Sequence, residues 1–182
     1  MREYLHPTQP HAGLWVRIAA FAFDYLIITV YLLMLAALSL AVSGTYPNLP
    51  RALFGNPASG QITGFMVITL PVTIYFALLE SSTWQATLGK RWKRLRVVDK
   101  NNDRLTRMRA FGRTLLKFIP WELSHACIWQ IRFSAGDPSP MIILGFALVW
   151  ILIAANIVSL LVSPTRQTLY DRLAGSYVVI NK

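Results

Sequence analysis

The sequence is short of charge, and above all of acidic charge. Charged residues make up 14% of the 182 residues, against about 25% in an average soluble domain, while 54% are hydrophobic. Only 8 residues are acidic against 18 that are basic, which gives a formal net charge of +10. This scarcity excludes an ordinary soluble domain. Long apolar runs beside a basic excess favour a membrane protein over one that binds nucleic acid.

Residues that carry chemistry are also scarce. The one cysteine, Cys127, excludes an internal disulfide and a metal cage built from cysteines. Gly89 and Lys90 lack the upstream glycine and the following Ser or Thr of a phosphate-binding loop. The sequence also shows no paired nucleophile and base. We therefore expect neither an enzyme nor a bound cofactor or metal ion.

Apolar runs predict the membrane-spanning segments. Residues 14–42, 62–80 and 141–163 are each long enough to cross a hydrocarbon core of about 30 Å. Pro71 lies within the second run and predicts a kinked helix there. A fourth run, 115–131, is interrupted by polar residues and a proline, namely Lys117, Pro120, Glu122 and His125. With these interruptions, the run is compatible with either a full span or a re-entrant segment.

The distribution of basic residues favours four spans. Eleven of the 18 lie between Lys90 and Lys117, and further ones follow the last apolar run. Basic segments stay in the cytoplasm, and only four spans keep both of these segments there, together with the N-terminus. We therefore predict one domain, 1–182, that is an all-α, four-helix membrane bundle. Its cytoplasmic cap would comprise about 82–113 and 164–182.

The cap is predicted to contain a small β-sheet. Residues 95–99 are strand-like, residues 100–103 have turn chemistry, and Arg104 would begin a return strand. Residues 176–180 are also rich in β-branched side chains. We expect them to join the hairpin in one sheet.

An amphipathic helix is predicted to follow this hairpin. Thr106 is a suitable N-cap. Arg109, Arg113 and Lys117 then recur at i, i+4 and i+8, which places them on one helical face. A basic face of this kind is suited to an anionic lipid leaflet.

Polar residues in or beside the spans are the candidates for function. Arg17 and Asp24 share one face of the first helix, roughly 10.5 Å apart along its axis. A carboxylate within a membrane is a functional candidate by default. Alternatively, Asp24 is a structural partner for an Arg or Tyr side chain on another helix.

Four acidic residues are predicted to meet three arginines in the inner half of the bundle. The acids are Asp24, Glu80, Glu122 and Asp171, and the arginines are Arg17, Arg113 and Arg166. Two interpretations remain open, namely an ion-pair network that fastens the cap and a cation or proton site. His125 lies one turn from Glu122. A single Glu-x-x-His motif does not complete a carboxylate-bridged metal site, which needs two such motifs.

Three stretches resemble the RDD family of small bacterial membrane proteins. They are residues 15–24, residues 87–99 with their Thr-Leu-Gly-Lys and Val-Val-Asp elements, and residues 166–176. The matching positions include Arg17, Asp24, Arg113 and Asp171. Tyr170 departs from the pattern, which often has His there. The resemblance implies a multi-pass protein of the bacterial inner membrane, and the charge distribution predicts that both termini are cytoplasmic.

Two functions remain in view. The resemblance implies cation/proton antiport, which is attributed to some family members, and a scaffolding role, which is attributed to another. We expect transport or ion homeostasis through a site built on Asp24, Arg17 and Asp171. A monovalent cation and a proton would be its ligands, and a homo-oligomer would be expected. The alternative is a scaffold or assembly factor that holds a partner through its basic cap.

Overall fold

The computed structural model describes residues 9–134 and 136–181, and these are mostly helical. The helices are α1 Leu14–Thr45, α2 Leu49–Phe54, α3 Pro57–Gly64, α4 Leu70–Glu80, α5 Leu88–Trp92, α6 Arg107–Phe133, α7 Pro140–Val162 and α8 Leu169–Leu173. A π-helical turn, Phe65–Thr69, joins α3 to α4. The two strands are β1 Leu95–Val98 and β2 Tyr177–Ile180.

Within the described residues, three helices are long and apolar enough to cross a membrane. They are Leu14–Thr45, Pro57–Glu80 and Pro140–Val162, and they contain nearly all of the three long apolar runs. In the second helix the π-helical turn comes just before Pro71, whose missing N–H donor interrupts the α-helical hydrogen-bond pattern.

The fourth predicted span is not a separate helix. Residues 115–131 lie inside α6, a single helix of 27 residues that continues through Pro120. This helix is far less apolar than α1 and α7, because Lys and Arg side chains recur through its first half. The predicted amphipathic helix and the predicted run 115–131 are therefore one element.

The described chain forms two compact units. The first contains the residues up to Leu26, Thr73–Lys117 and the residues from Ile153 onward, whereas the second contains Ile27–Val72 and Phe118–Leu152. The first unit holds the predicted cap together with the adjoining ends of the apolar helices.

A two-stranded sheet lies at the core of the first unit. β1 and β2 pair antiparallel, with Leu95 opposite Ile180 and Val98 opposite Tyr177, which confirms the predicted pairing. The expected return strand is reduced to one bridge between Val98 and Arg104. The N–H of Val97 donates to the carbonyl of Gln85. Gln85 therefore occupies the edge of β1 that a return strand would need, and the hairpin does not extend.

A close contact joins α5 to α1 within this unit. A Cβ added at Gly89 would overlap the carbonyl oxygen of Ala20 and crowd the carboxyl carbon of Asp24. Gly89 is buried and has helical backbone angles. Glycine is therefore required here because there is no room for a side chain, and not because of an unusual backbone conformation. The contact brings the cap backbone directly against the first apolar helix.

Gly89→Ala is expected to destabilise the protein by about 1–3 kcal/mol, because a backbone carbonyl cannot rotate away as a flexible side chain can. Gly112→Ala is the matched control, since a Cβ at this helical glycine meets nothing within 4 Å. The control is expected to be neutral or to stabilise by about 0.5–1 kcal/mol. Unfolding of both variants in detergent measures the difference, and equal effects would contradict the close contact.

Candidate functional site

Arg113 lies at the centre of a buried ion-pair network. It projects from α6 with 2% of its surface exposed. Its Nη1 donates to Oε2 of Glu80 at 2.5 Å, while Nη2 and Nε donate to Oδ1 of Asp171 at 2.7 and 2.9 Å. Nε also lies 3.1 Å from the hydroxyl of Ser176. One guanidinium therefore joins the end of α4 to α8.

Asp171 is held by a second arginine and by its own helix. Nη1 of Arg17 donates to Oδ2 at 2.7 Å. Thr168 and Asp171 also form a capping box at the start of α8, in which each side chain accepts from the other residue's N–H. Burial alone would raise the pKa of Asp171, but the charges of Arg113 and Arg17 outweigh it and hold this pKa well below its usual range.

The lowered pKa of Asp171 has a defined consequence for stability. The folded state favours the ionised carboxylate more than the unfolded chain does. Its contribution is therefore fully present above the unfolded pKa of about 3.9 and is lost as pH falls through the lower folded value. At neutral pH this residue is a fixed negative charge.

Arg17 connects the start of α1 to the segment that follows α7. Besides Asp171, it donates to the carbonyl of Ala12 at 3.0 Å and to that of Arg166 at 2.6 Å. Arg166 therefore joins the site through its backbone carbonyl. It has φ 47°, in the left-handed region, and its side chain is exposed. The expected guanidinium–carboxylate role of Arg166 does not appear among these contacts.

Lys90 completes the network and was not anticipated from the sequence. Its ammonium forms an ion pair with Oε1 of Glu80, whose other oxygen accepts from Arg113. Burial lowers the pKa of Lys90, and the Glu80 charge opposes this effect. Thr87 caps α5 by accepting from the N–H of Lys90, which fixes the start of that turn but does not mark the Lys90 side chain as buried.

Asp24 differs from the two networked acids in the kind of donor it meets. It is 1% exposed, and it accepts from the Tyr75 hydroxyl at 2.9 Å, the Gly89 N–H at 2.8 Å and the Thr87 hydroxyl at 2.6 Å. All three of these donors are neutral. This arrangement gives a buried carboxylate in a polar pocket that is held by hydrogen bonds and forms no ion pair with any residue that the structure describes.

Glu122 and His125 belong to the second unit. Glu122 accepts from the Gln61 amide at 2.7 Å and from the Thr69 hydroxyl. Nδ1 of His125 lies 3.7 Å from Oε1 of Glu122. Among the described residues, no three His, Cys, Asp or Glu side chains group so that they could hold a metal ion.

The predicted basic face of α6 is largely engaged within the first unit. Arg109 donates to the carbonyls of Ala174 and Gly175 at 2.8–3.3 Å. Arg113 lies inside the network. The ammonium of Lys117 lies 4.7 Å from the ring centre of Phe21 and 3.6 Å from that of Phe76. These contacts give all three side chains partners within the protein.

Arg17→Gln and Asp171→Asn are each expected to destabilise the protein by about 3–5 kcal/mol, because each removes one partner of a buried ion pair. The double variant should lose less than the sum, since the two side chains are in contact. Unfolding in detergent of the four proteins in this cycle measures the coupling.

The Arg109–Asp99 pair provides a matched control. Its charged atoms are 3.8 Å apart, and 41% of the Arg109 side chain is exposed. Arg109→Gln and Asp99→Asn should show a coupling of only about 0–1 kcal/mol. Strict additivity in the Arg17–Asp171 cycle would mean that the buried contact has no energetic role.

Comparison with known proteins places these residues in a family. The sequence pattern of the RDD family matches residues 11–175. The uncharacterized protein YckC of Bacillus subtilis is 25% identical over 167 residues, which cover 92% of this chain and 83% of YckC. The uncharacterized protein YxaI of the same organism is 27% identical over 109 residues, which cover 56% of this chain and 72% of YxaI. No solved structure matches the chain. With its long apolar helices, the chain is a membrane protein that belongs to the RDD family.

Proposed function

We propose that this protein exchanges a monovalent cation for a proton across the bacterial inner membrane, with Asp24 as the exchanging group. The observation that carries the proposal is the environment of Asp24, a buried carboxylate whose hydrogen-bond donors are the neutral groups of Tyr75, Thr87 and Gly89. A carboxylate without a direct ion pair is free to take a proton or a cation as its counter-charge.

The networked acids are less suited to this role. Asp171 and Glu80 each contact two cationic side chains at hydrogen-bond distance. Protonation of either acid would leave buried arginines or Lys90 without compensation, which is costly. We therefore assign the network to holding the frame of the first unit and Asp24 to ligand exchange.

The length of α1 supports a boundary position for Asp24. The helix has 32 residues and is about 48 Å long, which exceeds a hydrocarbon core of about 30 Å. The stretch after Asp24 is by itself long enough to cross that core. Asp24 would then lie near the inner boundary, where cytoplasmic protons and cations reach it more readily than they reach the bilayer centre.

The mechanism is a competition at one carboxylate. When the site faces one side, Asp24 releases its proton and takes a monovalent cation. When it faces the other side, the cation leaves and a proton returns. Net charge at the site is conserved at each exchange. One small protomer offers little room for a pathway, so we propose that the working unit is a homo-oligomer.

We also propose that four segments cross the membrane, with both termini in the cytoplasm. The pairing of β1 with β2 supports this topology, as does the bridge between His11 and Val179. Paired strands must lie on one side of the membrane. The chain between Val98 and Tyr177 would then cross an even number of times, so a crossing by α7 requires a second one by α6. Within α6, the predicted run 115–131 would make this crossing, and its roughly 17 residues are at the lower end of the length that a span needs.

A reporter enzyme that matures only outside the cytoplasm tests the topology. Fused after Asp137, in the segment between α6 and α7, it is expected to be active. Fused after Asn102 or at the C-terminus, it is expected to be silent. A silent Asp137 fusion would contradict the crossing by α6, and an active C-terminal fusion would contradict the orientation.

Proton flux in sealed vesicles tests the role of Asp24. The purified protein is expected to move protons when Na⁺ or K⁺ is added on one side, and Asp24→Asn should abolish this flux because a neutral amide cannot exchange a proton for a cation. Asp137→Asn is the matched control, since Asp137 is an exposed acid, and it should keep the flux. Loss of flux in both variants, or in neither, would contradict the assignment.

A scaffold or assembly factor is the second candidate function. It is favoured by the exposed basic side chains of the cap, including Arg94, Lys100, Arg104 and Arg107. Such a surface is complementary to an acidic partner. In the vesicle experiment, a folded wild-type protein without any cation-dependent proton flux would favour this candidate over transport.

A further inference from the structure

The outer surface of α5 combines aromatic and basic side chains. Trp84, Leu88 and Trp92 are 44%, 38% and 58% exposed, and Arg91 is exposed beside them. The buried residues of the same turn, such as Gly89 and Lys90, face the packed interior of the first unit. Helix α5 and the residues beside it therefore present an outward surface, which we call the α5 anchor. It consists of Trp84, Leu88, Arg91, Trp92 and Lys93.

Each cation of the α5 anchor lies over an indole ring. The guanidinium carbon of Arg91 is 4.2 Å from the ring centre of Trp84, and the ammonium of Lys93 is 3.9 Å from that of Trp92. Stacking of this kind orients the cations at little cost in solvation. Arg91 is exposed and Lys93 is half-buried, so an anion outside the protein can reach both side chains.

The α5 anchor lies close to the end of a membrane-spanning helix. Trp84 follows Glu80, the last residue of α4, by only four positions. The ring of Trp92 stacks on Phe23 of α1 at 5.2 Å. Trp side chains at the ends of spans concentrate at the level of lipid headgroups, where an apolar ring and a polar edge are both accommodated.

We propose that the α5 anchor binds the phosphate headgroup of anionic phospholipids. Trp84, Leu88 and Trp92 would contact the upper acyl region, while Arg91 and Lys93 would meet the phosphate. The exposed apolar surface distinguishes this occupant from an acidic protein, because two tryptophans and a leucine so close to a span end adjoin lipid. The inference needs only a membrane-embedded protein and is independent of transport by Asp24.

Lipid affinity of the full-length protein tests the proposal. Purified in a nonionic detergent, the protein is expected to retain phosphatidylglycerol more tightly than phosphatidylcholine, as measured by native mass spectrometry. The double variant R91Q/K93Q should lower the phosphatidylglycerol affinity by about 30-fold, which is the loss of two basic side chains near an anionic surface. R91K/K93R should keep most of the affinity.

The matched control is K100Q/R104Q, which removes the same charge from two exposed residues elsewhere in the cap. It should change the affinity by less than about twofold. Equal losses in the two double variants would overturn the proposal in favour of a diffuse charge effect, as would equal retention of the two lipids by the wild type. Displacement of the lipid by millimolar inorganic phosphate would also overturn it in favour of a free-anion site.

Should R91Q/K93Q unfold, the single variant R91Q provides the same test with a loss of about fivefold. Unchanged affinity in a folded R91Q protein would overturn the proposal.

Discussion

The structure of the first unit depends on the need to compensate one buried guanidinium. Arg113 is out of contact with water, and an arginine cannot be neutralised by losing its proton. It therefore requires carboxylates from elsewhere in the chain, and these come from Glu80 and Asp171. Each of these acids has a second carboxylate oxygen. Arg17 pairs with that of Asp171, and Lys90 pairs with that of Glu80. Elements far apart in sequence are thus fixed in one arrangement.

Such a network gives specificity to the packing of the cap against the ends of apolar helices. Apolar helices gain little by leaving lipid for one another, since lipid tails are as apolar as leucine. The sheet of the first unit has only four paired positions, so its own contribution is small. Charged groups that tolerate few alternative partners can then select one packing of the cap against the helix ends. Gly89 contributes as well, because a residue without a Cβ permits the close approach of α5 to α1.

The sequence predicted the elements better than it predicted their partners. Apolar length identified the three long helices, and β-branched residues identified both strands. The contact of Arg17 with Asp171 was also predictable, because both residues lie at the same end of the chain's apolar helices. Lys90 was missed because it stands in a basic run, where nothing distinguishes a buried lysine from a solvated one. Helical periodicity placed Arg109, Arg113 and Lys117 on one face, but it could not indicate that these side chains contact groups within the protein.

Asp171 and Asp24 differ in the charge of the side chains that donate hydrogen bonds to them. The charged partners of Asp171 are the guanidinium groups of Arg17 and Arg113, which donate and never accept and so favour its ionised form. Two donors to Asp24 are the hydroxyls of Tyr75 and Thr87. A hydroxyl can rotate to accept a proton or to turn its oxygen toward a cation. Two buried arginines therefore hold Asp171 as a fixed charge, whereas the neutral donors around Asp24 suit the exchange of a proton for a cation that we propose.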